Sequence, residues 1–295
     1  MTSLGPYLAS LAGRVETRLA TALPDPASPP ERVHAAMRHA LLGEGKRLRP
    51  VLLLAVTEML GRSSEPAEEL AVAVEMVHAA SLVLDDLPCM DDAALRRGRP
   101  TAHRAFGEAT AVLAAFGLLN RAFALVAEAG PRLRLRRYTG GDLVHHLAAA
   151  VGSAGLIGGQ ALDLESRADD RSLARLEFIH SHKTGALFLA AAELGAMAAD
   201  ARRRDLESVA AFAKNLGLAF QITDDLVDVL ATPEEAGKDT GQDAGKATFV
   251  SLLGVEGART LASELLDAAV AALSPLGRRA EPLAVLAGFV RDRRR

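Results

Sequence analysis

The 295-residue sequence has one cysteine, Cys89, no tryptophan, two tyrosines and an aromatic share of 4%. A single cysteine excludes an intrachain disulfide and any zinc site of clustered cysteines, and it leaves a reducing, cytoplasmic setting as the expectation. With so few aromatics, Ala, Leu and Val must fill the core, which favours helices over strands. Neither sign of charge dominates: 34 Lys and Arg against 37 Asp and Glu give −3. That balance removes any general attraction for nucleic acid, and no nucleic-acid partner is expected. The N-terminal stretch lacks the basic start and continuous apolar run of a secretory signal. The longest apolar run, 109–119, stops at Asn120 and Arg121; it reads as too short for a bilayer, so no integral membrane protein is expected. The G-x-x-x-x-G-K-[ST] phosphate loop and a strand-borne G-x-G-x-x-G are both missing, so an anion must be held by metal and by side chains on helices.

What is present is helical spacing. Val72, Met76, Ala79, Ala80, Val83 and Leu84 recur at three and four residues, as do Leu206, Val209, Ala213, Leu216 and Phe220. No alternating strand run or Asn-Gly hairpin appears. The breaks are the proline-rich 23–30, then 61–66, 152–159 and 232–245, with a second helix starting near Glu31. None resembles a flexible interdomain linker, and the chain reads as one all-α domain, 1–295, of about ten helices. The basic run at 132–137 reads as a solvated helix end or loop.

The strongest chemical signal is DDLPCMDD, in which Asp85, Asp86, Asp91 and Asp92 close an apolar helix. Clustered carboxylates repel one another unless a cation neutralises them, and an all-oxygen set suits Mg²⁺ or Mn²⁺. Pro88 interrupts the helix and lets Asp91 fold back towards Asp85. A second cluster, Asp224, Asp225 and Asp228, follows Phe220 and Gln221; Asp224 and Asp228, four apart, share a helix face. Either cluster alone could be a solvated acidic surface. Together they read as opposite walls of one site that clamps a highly anionic ligand through several metal ions. Arg96 and Arg97, GKRLRP at 45–50, and the Gly-Lys pairs at Lys238 and Lys246 supply cations suited to diphosphate. Cys89, inside the first cluster, reads as a small hydrophobe.

In order along the chain, GEGKRLRP, HAASLVLDDLPCMDDAALRRGRPTAH, GGQALDL, HKTGALF, FQITDDLVDV and GKDTGQDAGKATF resemble the motifs of the trans-isoprenyl diphosphate synthases, from about Val33 to the C-terminus. The resemblance implies an all-α fold around a central cavity, a homodimer, and isopentenyl diphosphate and an allylic diphosphate as substrates. It implies Mg²⁺, three per active site and replaceable by Mn²⁺, held by Asp85, Asp86 and Asp91 on one side and by Asp224 and Asp228, with Asp225 in support, on the other. Arg96, Lys183 and Lys238 would contact the allylic diphosphate. Lys46, Arg49, His78 and Arg97 would hold isopentenyl diphosphate, and Thr184 and Gln221 would lie near the allylic cation. The basic C-terminus resembles tails that close over the isopentenyl site.

Product length should be set along the helix that ends at Asp85. Ala80 and Ser81 lie about 6–7.5 Å below Asp85 at 1.5 Å per residue. Both are small, where related farnesyl synthases carry an aromatic, so the stretch is more similar to bacterial geranylgeranyl synthases. Met76 and Val77, about 12 Å down, or Leu113 or Phe116 from a neighbouring helix, would form the floor. A geranylgeranyl product is expected, with farnesyl as the alternative. A class I terpene cyclase would usually pair the first motif with an Asn/Ser/Glu-type second motif and line its pocket with aromatics, whereas here the second motif is all aspartate and the chain has no Trp and only two Tyr. A non-catalytic regulatory subunit would have lost metal or diphosphate residues, which this chain keeps.

Overall fold

A computed structural model describes residues 5–166, 172–230 and 247–293. Helices α1 (Pro6–Ala22), α2 (Glu31–Leu41), α3 (Leu48–Met59) and α4 (Glu68–Asp85) lead to a two-residue hairpin, β1 (Leu95–Arg96) and β2 (Arg99–Pro100). Then follow α5 (Ala102–Phe106), α6 (Glu108–Leu133), α7 (Gly140–Val151), α8 (Leu156–Leu164), α9 (Leu173–His180) and α10 (Ala186–Ala198). The chain ends with α11 (Arg203–Leu230), α12 (Phe249–Ala272) and α13 (Glu281–Arg291). Lys238, Lys246 and the break at 232–245 lie outside the described residues.

The all-α expectation holds, and α2 starts at Glu31 as the proline-rich break requires. Two boundaries differ. In the glycine-bearing stretch expected to break the chain through Gly159, α8 already begins at Leu156, because the glycine penalty in a helix is small beside the packing that Gly159 permits. The apolar run at 109–119 continues as the 26-residue α6. With a mean hydropathy of 1.7, α6 is not too short or too polar to cross a membrane, and the stretch Gly140–Leu164 passes the same test. Its periodicity supplies the distinction: Ala111, Ala114, Ala115, Leu118, Ala122, Val126 and Ala129 form a fully buried face.

The principal core joins α1–α4, α6, α7, α10 and the inner faces of α11 and α13 around α3, α4 and α10, whose small and branched side chains are nearly all buried. A second cluster, with Leu176, Ile222, Leu226 and Phe249, lies where α9, α11 and α12 meet.

The basic run is not simply solvated. Arg132 pairs with the buried Glu69 at 2.6 Å, and the backbone N–H groups of Arg136 and Arg137 donate to Asp200 Oδ1 at 3.0 and 2.7 Å. The run thus ties the end of α6 to α4 and to the α10–α11 turn.

Candidate active site

Helix α4 is buried nearly all round from Glu69 to Ala80, with His78 the half-buried exception. Nearer its C-terminus Ser81, Leu82, Leu84 and Asp85 are also half-buried. His78, Ser81, Leu82 and Asp85 follow at three, four and seven residues, so they form one stripe on the helix. At its end the backbone N–H of Asp91 donates to the Asp85 carbonyl at 3.0 Å, which is the fold-back expected from Pro88. Asp86 accepts from Arg96 Nε and Nη2 at 3.0 and 2.5 Å. Asp86, expected among the metal ligands, is thus held by the arginine of the hairpin.

Burial, with Asp91 and Asp86 nearby, pushes the Asp85 carboxyl up to about 6 against the pull of Lys183 and Arg96. Its place at a helix C-terminus adds a negative charge to the negative end of the dipole. The carboxylates of both motifs are acceptor-only oxygen donors, and this donor set fits a hard divalent cation. Among the described residues no three His, Cys, Asp or Glu groups converge into a ready-made metal site.

Cations gather around His78 on the same stripe. Arg49 is buried, its guanidinium 4.4 Å from the Phe188 ring centroid and 5.9 Å from that of Phe220. Its Nε is buried without a hydrogen-bond partner. Burial, aided by Arg97 and Arg293, brings its pKa down to about 10 although Glu75 and Asp224 oppose this; the group stays charged at neutral pH. Lys46 Nζ lies 5.7 Å from the Phe289 ring centroid. Gly45 lets Arg97 lie against the loop, since a Cβ there would sit 2.9 Å from Arg97 Nη1. His78 is held well below the usual imidazole range, first by burial and then by Arg49, Arg97, Arg96 and Arg47. It is therefore neutral at pH 7, suited to a hydrogen bond rather than to taking up a proton.

Ser181–Gly185 form a single π turn between α9 and α10, a distortion that often marks functional sites. Lys183 Nζ lies 2.7 Å from Oδ2 of the buried Asp163. Thr184 Oγ1 donates to Gln221 Oε1 at 2.8 Å, and Gln221 Nε2 donates to Asp225 Oδ1 at 2.9 Å. Asp225 Oδ2 accepts from the Phe249 backbone N–H at 3.0 Å. Asp225 thus fixes the Gln221 amide and ties α11 to the start of α12. Gly159 makes the close approach possible: a Cβ there would fall 2.2 Å from the Lys183 backbone nitrogen.

The π turn reaches both aspartate motifs. Lys183 acts electrostatically on Asp85, while Thr184 is hydrogen-bonded to the helix of the second motif. In that motif Asp224 Oδ1 lies 2.8 Å from Arg293 Nη2. The described end of the basic tail therefore rests on the second aspartate motif. Sequence reasoning missed Arg293 in this role, as well as Asp163 and the phenyl rings around Arg49; the GGQALDL motif was the available signal for Asp163.

Of the residues expected to set product length, Met76, Val77 and Ala80 are buried in the packing of α4, while Ser81 lies on the half-exposed stripe. Leu113 and Phe116 are 56% and 63% exposed. They cannot floor the cavity of their own chain, because α6 turns its other face to α4.

Residues 30–274 match the sequence model of the family described as Polyprenyl synthetase. A dimethylallyltranstransferase of Fischerella ambigua is 43% identical over 294 residues, covering 98% of this chain and 83% of that protein. Geranylgeranyl pyrophosphate synthase 4 of Arabidopsis thaliana is 40% identical, with coverages of 98% and 77%. The crystal structure of a geranyltransferase from Helicobacter pylori, complexed with magnesium and isoprenyl diphosphate, superposes with a TM-score of 0.85 at 33% identity, covering 96% of this chain and 95% of that one. Two aspartate motifs bridged by a π turn and faced by arginines, on a fold shared over almost the whole chain, thus have one family context: this chain belongs to the polyprenyl synthetases and is a trans-prenyltransferase that makes prenyl diphosphates.

Proposed function

We propose that the chain condenses isopentenyl diphosphate with dimethylallyl, geranyl and farnesyl diphosphates and stops mainly at geranylgeranyl diphosphate. The carrying observation is the half-exposed stripe of α4, where Ser81, about one turn below Asp85, is small. The fully buried Met76 and Val77 lie below it. The 40% identity to a plant geranylgeranyl synthase agrees with this product.

Asp85 and Asp91, with Asp86 in support, from one side and Asp224 and Asp228 from the other would hold Mg²⁺, three ions per site, with Mn²⁺ able to substitute. A relative of the same fold binds magnesium and isoprenyl diphosphate. Bound magnesium supplies Lewis-acid neutralisation of diphosphate as a leaving group. Arg96, positioned by Asp86, together with Lys183 and Lys238, binds the allylic diphosphate. Lys46, Arg49 and Arg97 hold isopentenyl diphosphate, with neutral His78 as a hydrogen-bonding group. Thr184 donates its proton to Gln221, so its lone pairs remain for the allylic cation formed when the C–O bond ionises. The isopentenyl double bond then attacks that cation, and the proton lost goes to the departing diphosphate.

The test is product length from the purified protein with Mg²⁺, isopentenyl diphosphate and farnesyl diphosphate. A dominant twenty-carbon product is expected, and Ser81→Phe should shift it to fifteen carbons. Ser81 is the site of choice because Ala80 is fully buried. An unshifted product would remove the stripe from length control. Refusal of farnesyl diphosphate with dimethylallyl diphosphate accepted would make the enzyme a farnesyl synthase.

We also read the chain as one cytoplasmic domain that works as a homodimer. The exposed Leu113 and Phe116 on α6 support an apolar contact with a second copy. Sedimentation velocity should give a dimer for the native chain and a monomer for Phe116→Asp; a native monomer would reject the assembly.

A further inference from the structure

The contact between Arg293 and Asp224 is not explained by the fold alone. Arg293 stands two residues beyond the last residue of α13, yet its backbone N–H still reaches the Val290 carbonyl at 3.4 Å. The helix beneath it is fixed by the buried Leu283, Leu286, Ala287 and Val290, and Arg291 pairs with Asp267 at 2.5 Å. On this anchored stem the Arg293 side chain is 13% exposed. It presents Nη2 to Asp224 Oδ1 at 2.8 Å and stacks 4.5 Å from the Phe220 ring centroid. Arg49 also approaches that ring.

A guanidinium seated this way occupies one of the carboxylate oxygens that a metal ion would use. Mg²⁺ requires its oxygen ligands at about 2.0–2.1 Å, whereas the donor nitrogen already stands against Oδ1. The two cations cannot share that oxygen without strong repulsion. Phe220 gives the displaced guanidinium a surface to remain on, since cation–π attraction does not depend on Asp224.

We propose that Arg293 is a built-in counter-ion of Asp224: it offsets that carboxylate's charge in the metal-free enzyme and competes with the divalent cation for it. The proposal rests on the reading of Asp224 as a metal ligand. Its consequence is that the metal affinity of the second motif is set partly by the C-terminal arm.

The probe is Mn²⁺ with saturating inorganic diphosphate, followed by the free-Mn²⁺ electron paramagnetic resonance signal and, in parallel, by thermal melting. Arg293→Gln should bind the weakest Mn²⁺ about three- to tenfold more tightly, on the scale of removing one competing, partly exposed ion pair. It should also melt lower than the native chain in EDTA and show the larger Mn²⁺-induced rise. Arg293→Lys, which keeps the charge, should stay near the native values. Equal or weaker Mn²⁺ binding with an equal or smaller melting shift in Arg293→Gln would overturn the proposal. Asp224→Asn separates the two ideas: if it loses no Mn²⁺, the metal reading of Asp224 fails, and if it loses Mn²⁺ while Arg293→Gln gains none, only the competition fails.

Discussion

Asp85→Asn is expected to lower kcat/KM by about a thousandfold, the scale of removing one preorganised electrostatic stabiliser of a transition state, while making the metal-free protein more stable. The two effects share one cause. Asp85 is held at a helix C-terminus among Asp86 and Asp91, and burial pushes its carboxyl up to about 6. A folded-state pKa above the unfolded value means that the native chain binds the proton more tightly. Stability without metal therefore falls as pH rises from the unfolded carboxylate value to the folded one, and the whole penalty is present at pH 7. Asparagine removes the charge and the penalty together. In EDTA at neutral pH the variant should melt higher than the native chain, and with Mg²⁺ and inorganic diphosphate the order should reverse. Asp86→Asn should behave differently: its carboxylate serves Arg96, so the loss should appear mainly as a raised KM for the allylic substrate. A higher melting temperature with activity retained would show that Asp85 is crowded without being needed for catalysis.

Much of this arrangement is legible in the chain because the site consists of charges at fixed helical spacings. The pairing of Asp224 with Asp228 on one face and the return of Asp91 to Asp85 follow from residue spacing and one proline. Other parts are not, because the same residue type serves two purposes. Asp225 lies between two proposed metal ligands and is a buried tether to Gln221 and Phe249. Asp163 stands just past a glycine-bearing stretch that reads as a break, and only packing across 20 residues of chain brings it to Lys183. The arginines at 132–137 look like a solvated run until Glu69 and Asp200 arrive from distant elements. Long-range pairing of this kind leaves no periodicity to read.

The sharpest instance is GKRLRP, where Lys46, Arg47 and Arg49 are indistinguishable as cations in the sequence. Arg47 has a positive φ of 49° and is buried in the protein. Its guanidinium meets Glu16 at 2.6 Å and Glu75 at 2.7 Å, and donates to the carbonyls of Leu41 and Gly43 at 3.1 and 2.6 Å. The side chains of Arg47 and Glu75 are 1% and 4% exposed. Arg47→Met is therefore expected to cost about 3–5 kcal/mol, because it strands a buried carboxylate rather than merely deleting a contact. A urea titration should show the midpoint fall with little change in slope. Arg47→Met with Glu75→Gln should recover most of the loss, since no uncompensated charge is then buried. The rescue is expected in stability and not fully in activity. Glu75 also acts electrostatically on Arg49 and Arg97, so removing it leaves those two cations, and His78 among them, without their nearest buried negative charge. Recovery of both properties in the double variant would make the Arg47–Glu75 pair a structural strut with no part in tuning the isopentenyl side.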